Sequence, residues 1–175
     1  MRTIRIAAIL VIAVTLILSA CTSKPSFEKQ RIATVEYLRT FNKIDSDVNQ
    51  VGASVMSSSF SPTTLKLLIS ALQGALQRCD GLKPQNIDTA THIDNYKRYL
   101  NTSITTLQNQ LKMLSDVETI KNASDEEFKR MLAQLDADSN SLNTGQAEIW
   151  RLTESIMVKF NITDQEVNYQ FRGKP

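Results

Sequence analysis

Histidine occurs once, at position 92, and cysteine twice, at positions 21 and 79, in a chain of 175 residues. One histidine removes every multi-histidine metal site and obliges any catalytic triad to be built around His92. The five glycines and four prolines form no phosphate-cradling loop, no Gly-x-Ser-x-Gly elbow and no EF-hand loop. No Glu-x-x-His pair of the kind that lines di-iron bundles is present. Strand-like alternation between tight turns is missing as well, so a sheet has nothing to be made of. Charge of one sign is also lacking. Beyond residue 20 the 18 basic and 18 acidic side chains balance, and no basic run exceeds the pairs Lys97-Arg98 and Lys129-Arg130. A neutral domain has no field to steer it onto a polyanion, so nucleic acid is not an expected partner.

The apolar residues that are present fall into two patterns. The first is a leader. Met1 to Arg5 is short and basic, Ile6 to Leu18 is a 13-residue apolar run broken only by Thr15, and Ser19 and Ala20 are small. This is the three-part layout of an export signal. As a helix the run would rise about 20 Å, short of the ~30 Å hydrocarbon core of a bilayer.

Leu18-Ser19-Ala20-Cys21 resembles the lipobox of bacterial lipoproteins. That resemblance implies cleavage between Ala20 and Cys21 and a diacylglyceryl thioether on Cys21, commonly with a further acyl chain on its amine. Two or three chains give durable anchoring where one is marginal, at about 0.8 kcal/mol per buried methylene. The next residue is Thr22 rather than Asp, which under the family's sorting rule points to the outer membrane of a two-membrane envelope. The resemblance covers residues 1–22 alone. The expected organisation is a signal peptide at 1–20, a lipidated Cys and short tether at 21–26, and a single helical-bundle domain at 27–175. The tether from Thr22 to Ser26 reaches ~18 Å at most, holding the folded part near the bilayer.

The second pattern is helical periodicity. Tyr37, Phe41, Ile44, Val48, Val51 and Val55 repeat at spacings of four and three, with Val35 and Leu38 widening the stripe. Ser26 can cap this first helix. Ser61-Pro62 is a start signal for a second, whose face is Leu65, Leu68, Ile69, Leu72, Leu76 and Cys79, and Gly81 with Pro84 ends it. A third is expected from about Asp88 or Thr89 to about Ile120, with Ile93, Tyr96, Leu100, Ile104, Leu107, Leu111, Leu114 and Val117 inward. Ser124-Asp125-Glu126-Glu127 is a capping box that opens a fourth. Its stripe of Phe128, Met131, Leu135, Leu142, Ile149, Leu152, Ile156 and Phe160 keeps phase through the weak stretch from Asp138 to Gly145, where a kink is the open question. Thr163-Asp164-Gln165-Glu166 repeats the capping box and predicts a short terminal helix with Val167 and Phe171 inward. The expected fold is all-α, an antiparallel up-down four-helix bundle with a short C-terminal helix.

Few side chains are candidates for chemistry. His92 lies beside the Ile93-Tyr96-Leu100 seam and is expected at a solvated edge; pairing with Met157 for haem is weighed and set aside, and no cofactor or metal is expected. Asp45/Asp47, Asp136/Asp138 and Glu126/Glu127 read as solvated faces and helix starts. Cys79 reads as a small buried hydrophobe. Gly52 and Gly74 read as places where helices approach closely. Phe60, in the turn Ser57-Ser58-Ser59-Phe60, and Trp150 are possible contact points for a partner, although for Trp150 a core position is favoured. The functional expectation is a non-catalytic protein-interaction module of the envelope, either an accessory subunit of an assembly or an inhibitor or immunity protein. It would be held to the lipid bilayer by acylated Cys21 and meet an envelope protein partner. The alternative is a small-molecule or cofactor carrier with a pocket between helices.

Overall fold

In a computed structural model, residues 25–57, 61–115, 121 and 123–169 are described, and among them the chain is all-α. Five helices follow one another: α1 (Phe27–Ser57), α2 (Pro62–Asp80), α3 (Ile87–Ser115), α4 (Asp125–Lys159) and α5 (Asp164–Val167). The chain divides into residues 1–30 and residues 31–175. In the first unit, the backbone N–H of Lys29 reaches the Ser26 hydroxyl at 3.4 Å, the expected cap, and the Gln30 side chain donates to the Pro25 carbonyl at 2.8 Å. Everything that follows concerns the second.

Each later helix starts where a side chain can satisfy orphan amides. Ser61 accepts from the Thr64 backbone while Thr64 answers to Ser61, and Pro62 supplies the first residue that has no N–H to lose. The reciprocal boxes at Ser124/Glu127 and Thr163/Glu166 form as their spacing predicts. The third helix begins slightly earlier than expected because Asn86 caps it, accepting from Thr89 N–H at 3.0 Å. The same Asn86 amide donates to the Thr34 hydroxyl of α1 at 3.0 Å. After α4, Asn161 takes a left-handed φ of 51°, which asparagine tolerates, and turns the chain into α5.

The core is built from the expected stripes of α1, α2 and α3. Phe41, Leu38, Ile44, Leu65, Leu72, Tyr96, Leu100 and Cys79 are each at most 3% exposed. Phe41 stands at its centre, with ring centroids 4.3 Å from His92 and 4.7 Å from Tyr96 in edge contacts. Side chains pair across helices in a consistent register. Thr34 meets Asn86, Tyr37 meets His92 and Asp45 meets Tyr96, so partners ascend α1 and α3 together. Asp88 meets Lys159, His92 meets Thr153 and Tyr99 lies on Gly145, so partners ascend α3 while descending α4.

The fourth helix departs from its expected role. It is unbroken through Asn143 to Gly145, but its fully buried residues, Ile149, Thr153, Ile156 and Met157, all lie in its C-terminal half. The N-terminal half of the stripe is not core: Phe128 and Leu132 are each 47% exposed, and Met131, Leu135 and Leu142 are only half-buried. Periodicity shows that a helix has an apolar face, and here no described residue buries that part of it. Val117 and Phe171 fall outside the described residues.

The glycines also sort differently than expected. A β-carbon on Gly52 or Gly74 would meet nothing within 4 Å, so neither marks a close helix contact. The close approach is at Gly145, where an added β-carbon would lie 2.9 Å from Tyr99 Cδ2. Gly52→Ala should therefore stabilise the protein by about 0.5–1 kcal/mol, the entropy and helix-propensity difference. Gly145→Ala should forfeit that gain and end below wild type, because the Tyr99 ring must swing aside. Denaturant midpoints of the two variants check this; a rise at both positions would refute the Gly145 contact.

Candidate functional site

Two polar ladders cross the apolar interior, and a cleft opens beside the second. The first ladder holds His92, which is fully buried rather than at a solvated edge. The expectation failed because its concealment comes from other helices, Tyr37 and Phe41 of α1 and Thr153 of α4. Tyr37 and His92 Nδ1 are 2.6 Å apart, His92 Nε2 and Thr153 Oγ1 are 2.9 Å apart, and the Thr153 hydroxyl donates to the Ile149 carbonyl at 3.0 Å. That hydroxyl has one proton, given to Ile149, so His92 Nε2–H is the donor to Thr153 and bare Nδ1 accepts from the Tyr37 O–H. Burial pulls the imidazole down to about 4, against an opposing contact with the Ile149 backbone. Both ring nitrogens are committed, so neither is presented to a ligand or to the iron of a haem paired with Met157. Burial likewise pushes the Cys79 thiol up to about 11, keeping it protonated, and it packs as the small hydrophobe expected.

The second ladder starts at Asp45, one of the carboxylates read as solvated. It is 8% exposed, accepting from the Tyr96 O–H and the Asn49 amide at 3.0 Å each. Burial raises its carboxyl, and these two hydrogen bonds work against that rise. Asn49 in turn accepts from Gln146 of α4 at 2.8 Å. Asp47, two residues on, faces out and pairs with Arg78 of α2 at 2.5 Å. Asp136, Glu126 and Glu127 are exposed as expected, while Asp138 is half-buried and accepts from Gln134 at 2.7 Å.

Beyond Gln146 and Asn49, where α4 stands off the core, lies an open cleft of about 680 Å³. Its walls are Val48, Gly52 and Ala53 of α1, Leu68 and Leu72 of α2, Tyr99, Ser103 and Leu107 of α3, and Leu142, Asn143 and Trp150 of α4. Trp150 is half-buried on this wall, between the two roles the sequence allowed it. A pocket between helices was only the alternative expectation, because the stripes read as filled by large side chains. The signal a reading of large apolar residues passes over is the small residues on its walls, half-buried Gly52 and buried Ser103 among them. A second cleft of about 600 Å³ lies between α1 and the residues after α5 and is polar, bordered by Arg39, Lys43, Asp47 and Asn168.

Of the residues singled out from sequence, Trp150 and Gly52 line the first cleft and Asp45 and Asp47 border the second. Ala20, Cys21 and Phe60 lie outside the described residues. Among the described residues no group of three His, Cys, Asp or Glu side chains could hold a metal ion, and no helix is long and apolar enough to cross a membrane. Comparison with protein-family models, curated proteins and solved structures finds no match to this chain.

Proposed function

We propose that the protein is a membrane-anchored envelope lipoprotein that works as a non-catalytic protein-interaction module, lying at the outer membrane where the envelope has two. In this reading acylated Cys21 holds the chain to the bilayer, and α1 to α4 form an antiparallel up-down four-helix bundle with α5 as a short appendix. The pairing register supports that arrangement: partners rise together on α1 and α3 and oppositely on α3 and α4.

The observation that carries the proposal is the uncovered half of α4. Phe128 and Leu132 are 47% exposed on a stripe that continues through Met131 and Leu135, and contiguous apolar surface of this kind marks contact sites. A partner offering an amphipathic helix would complete the packing that α4 lacks.

In-cell crosslinking followed by affinity purification tests this, comparing wild type with Cys21→Ala and with the pair Phe128→Asp/Leu132→Asp. One specific envelope protein should be captured by wild type and lost from both variants, the paired variant keeping its helical circular dichroism. Capture unaffected by the α4 substitutions, or no capture where known envelope complexes are recovered, refutes the proposal.

A further inference from the structure

We propose that the cleft beside Trp150 is a binding site for an uncharged, mostly apolar small molecule carrying a flat ring and a hydrogen-bonding edge. The inference goes beyond the docking reading and does not depend on the anchor. At about 680 Å³ the cleft lies within the range of sites that enclose drug-sized molecules, and it is open to solvent.

Its lining sets the chemical class. Among the described residues no Asp, Glu, Lys, Arg or His contributes to the walls, so an ionised group entering it would lose water without gaining a counter-charge from them. Leucines from three helices supply the apolar area, and Tyr99 and Trp150 supply aromatic surface for a ring. The polar edge is Gln146, which spends one amide hydrogen on Asn49; Asn49 is itself fixed by Asp45. The Gln146 carbonyl and second amide hydrogen then serve a ligand's donor and acceptor. Gly52 keeps the opposite wall low, since nothing lies within 4 Å of where its side chain would begin.

Trp150 is the sole tryptophan and lines the cleft, so its emission reports occupancy directly. The full chain, purified in a mild detergent, is titrated with N-phenyl-1-naphthylamine, an uncharged aromatic probe that accepts energy from tryptophan. Saturable quenching at one probe per chain is expected. It should weaken roughly tenfold or more in Gly52→Phe, whose ring fills the cleft, and persist in Phe128→Ser/Leu132→Ser. The anionic sulfonate analogue of the probe should bind at least roughly tenfold less tightly. Should Gly52→Phe lose its helical circular dichroism, Ala53→Leu on the same wall takes its place. Quenching that does not saturate, that is unchanged by filling the cleft, or that disappears only with the α4 stripe overturns the inference. Equal affinity for the anionic analogue overturns the ligand class.

Discussion

Between pH 6.5 and 4 the fold will lose about 3 kcal/mol of stability through one side chain, and His92→Gln will not show that loss. The sign follows from where the proton binds. In the unfolded chain the imidazole titrates near its ordinary value of 6.5, whereas in the fold burial holds it down to about 4. As pH falls below 6.5 the unfolded state takes up a proton that the folded state refuses, at ~1.4 kcal/mol per pH unit, until the folded imidazole itself titrates. Protonation there would also turn Nδ1 from acceptor to donor and set it against the Tyr37 hydroxyl. Asp45 acts in the opposite sense. Its carboxyl is raised by burial, so its contribution is fully present below the ordinary carboxyl value and fades as pH rises through the raised one. Comparing urea denaturation of wild type and His92→Gln at pH 7, 5.5 and 4.5 cancels the Asp45 share. Parallel slopes for the two proteins would refute the account of His92.

Phe41→Ala will cost about 3–5 kcal/mol, whereas Phe128→Ala will change stability by roughly 0.5 kcal/mol or less. Both phenylalanines sit on helical stripes and look alike in sequence. Phe41 is 1% exposed and touches the rings of Tyr37, His92 and Tyr96, so its removal leaves a cavity among rigid aromatics that cannot collapse to fill it. It would also loosen the packing that holds His92 in place. Phe128 is 47% exposed, so nearly half of it is already in water. Thermal or denaturant melts of the two variants measure the contrast. A loss of several kcal/mol at Phe128 would mean that the N-terminal half of α4 is packed after all, and the docking proposal would fall with it.

These two residues also mark how far the sequence could be read. Caps are local chemistry, and the boxes at Ser124/Glu127 and Thr163/Glu166 formed where their spacing placed them. Stripes are nearly as legible, since Phe41, Leu100 and Ile156 repeat in phase because a helix turns every 3.6 residues. What covers a stripe is decided by other segments of the chain. His92 looked marginal because its neighbours in sequence gave no hint of Tyr37, 55 residues away, or of Thr153, 61 residues away. Asp45 looked solvated until Tyr96 and Asn49 enclosed it. The cleft could be expected only as an alternative, because the small residues on its walls, Gly52 and Ser103, do not mark a stripe, and a stripe is recognised by the large ones.

The fourth helix is in effect a cantilever. It is clamped from Gly145, under the Tyr99 ring, through Thr153 to Lys159, and among the described residues no core side chain comes from its other half. From Gly145 back to Phe128 the lever arm is ~25 Å at 1.5 Å per residue, so a tilt of about 5° at the clamp carries the Phe128 end through roughly 2 Å. Leu142 and Asn143 line the cleft on that arm just beyond the clamp, while Phe128 and Leu132 sit toward its tip. A small angular change would therefore alter the width of the cleft and the height of the outer apolar surface at once, mechanically joining whatever occupies one to whatever rests on the other.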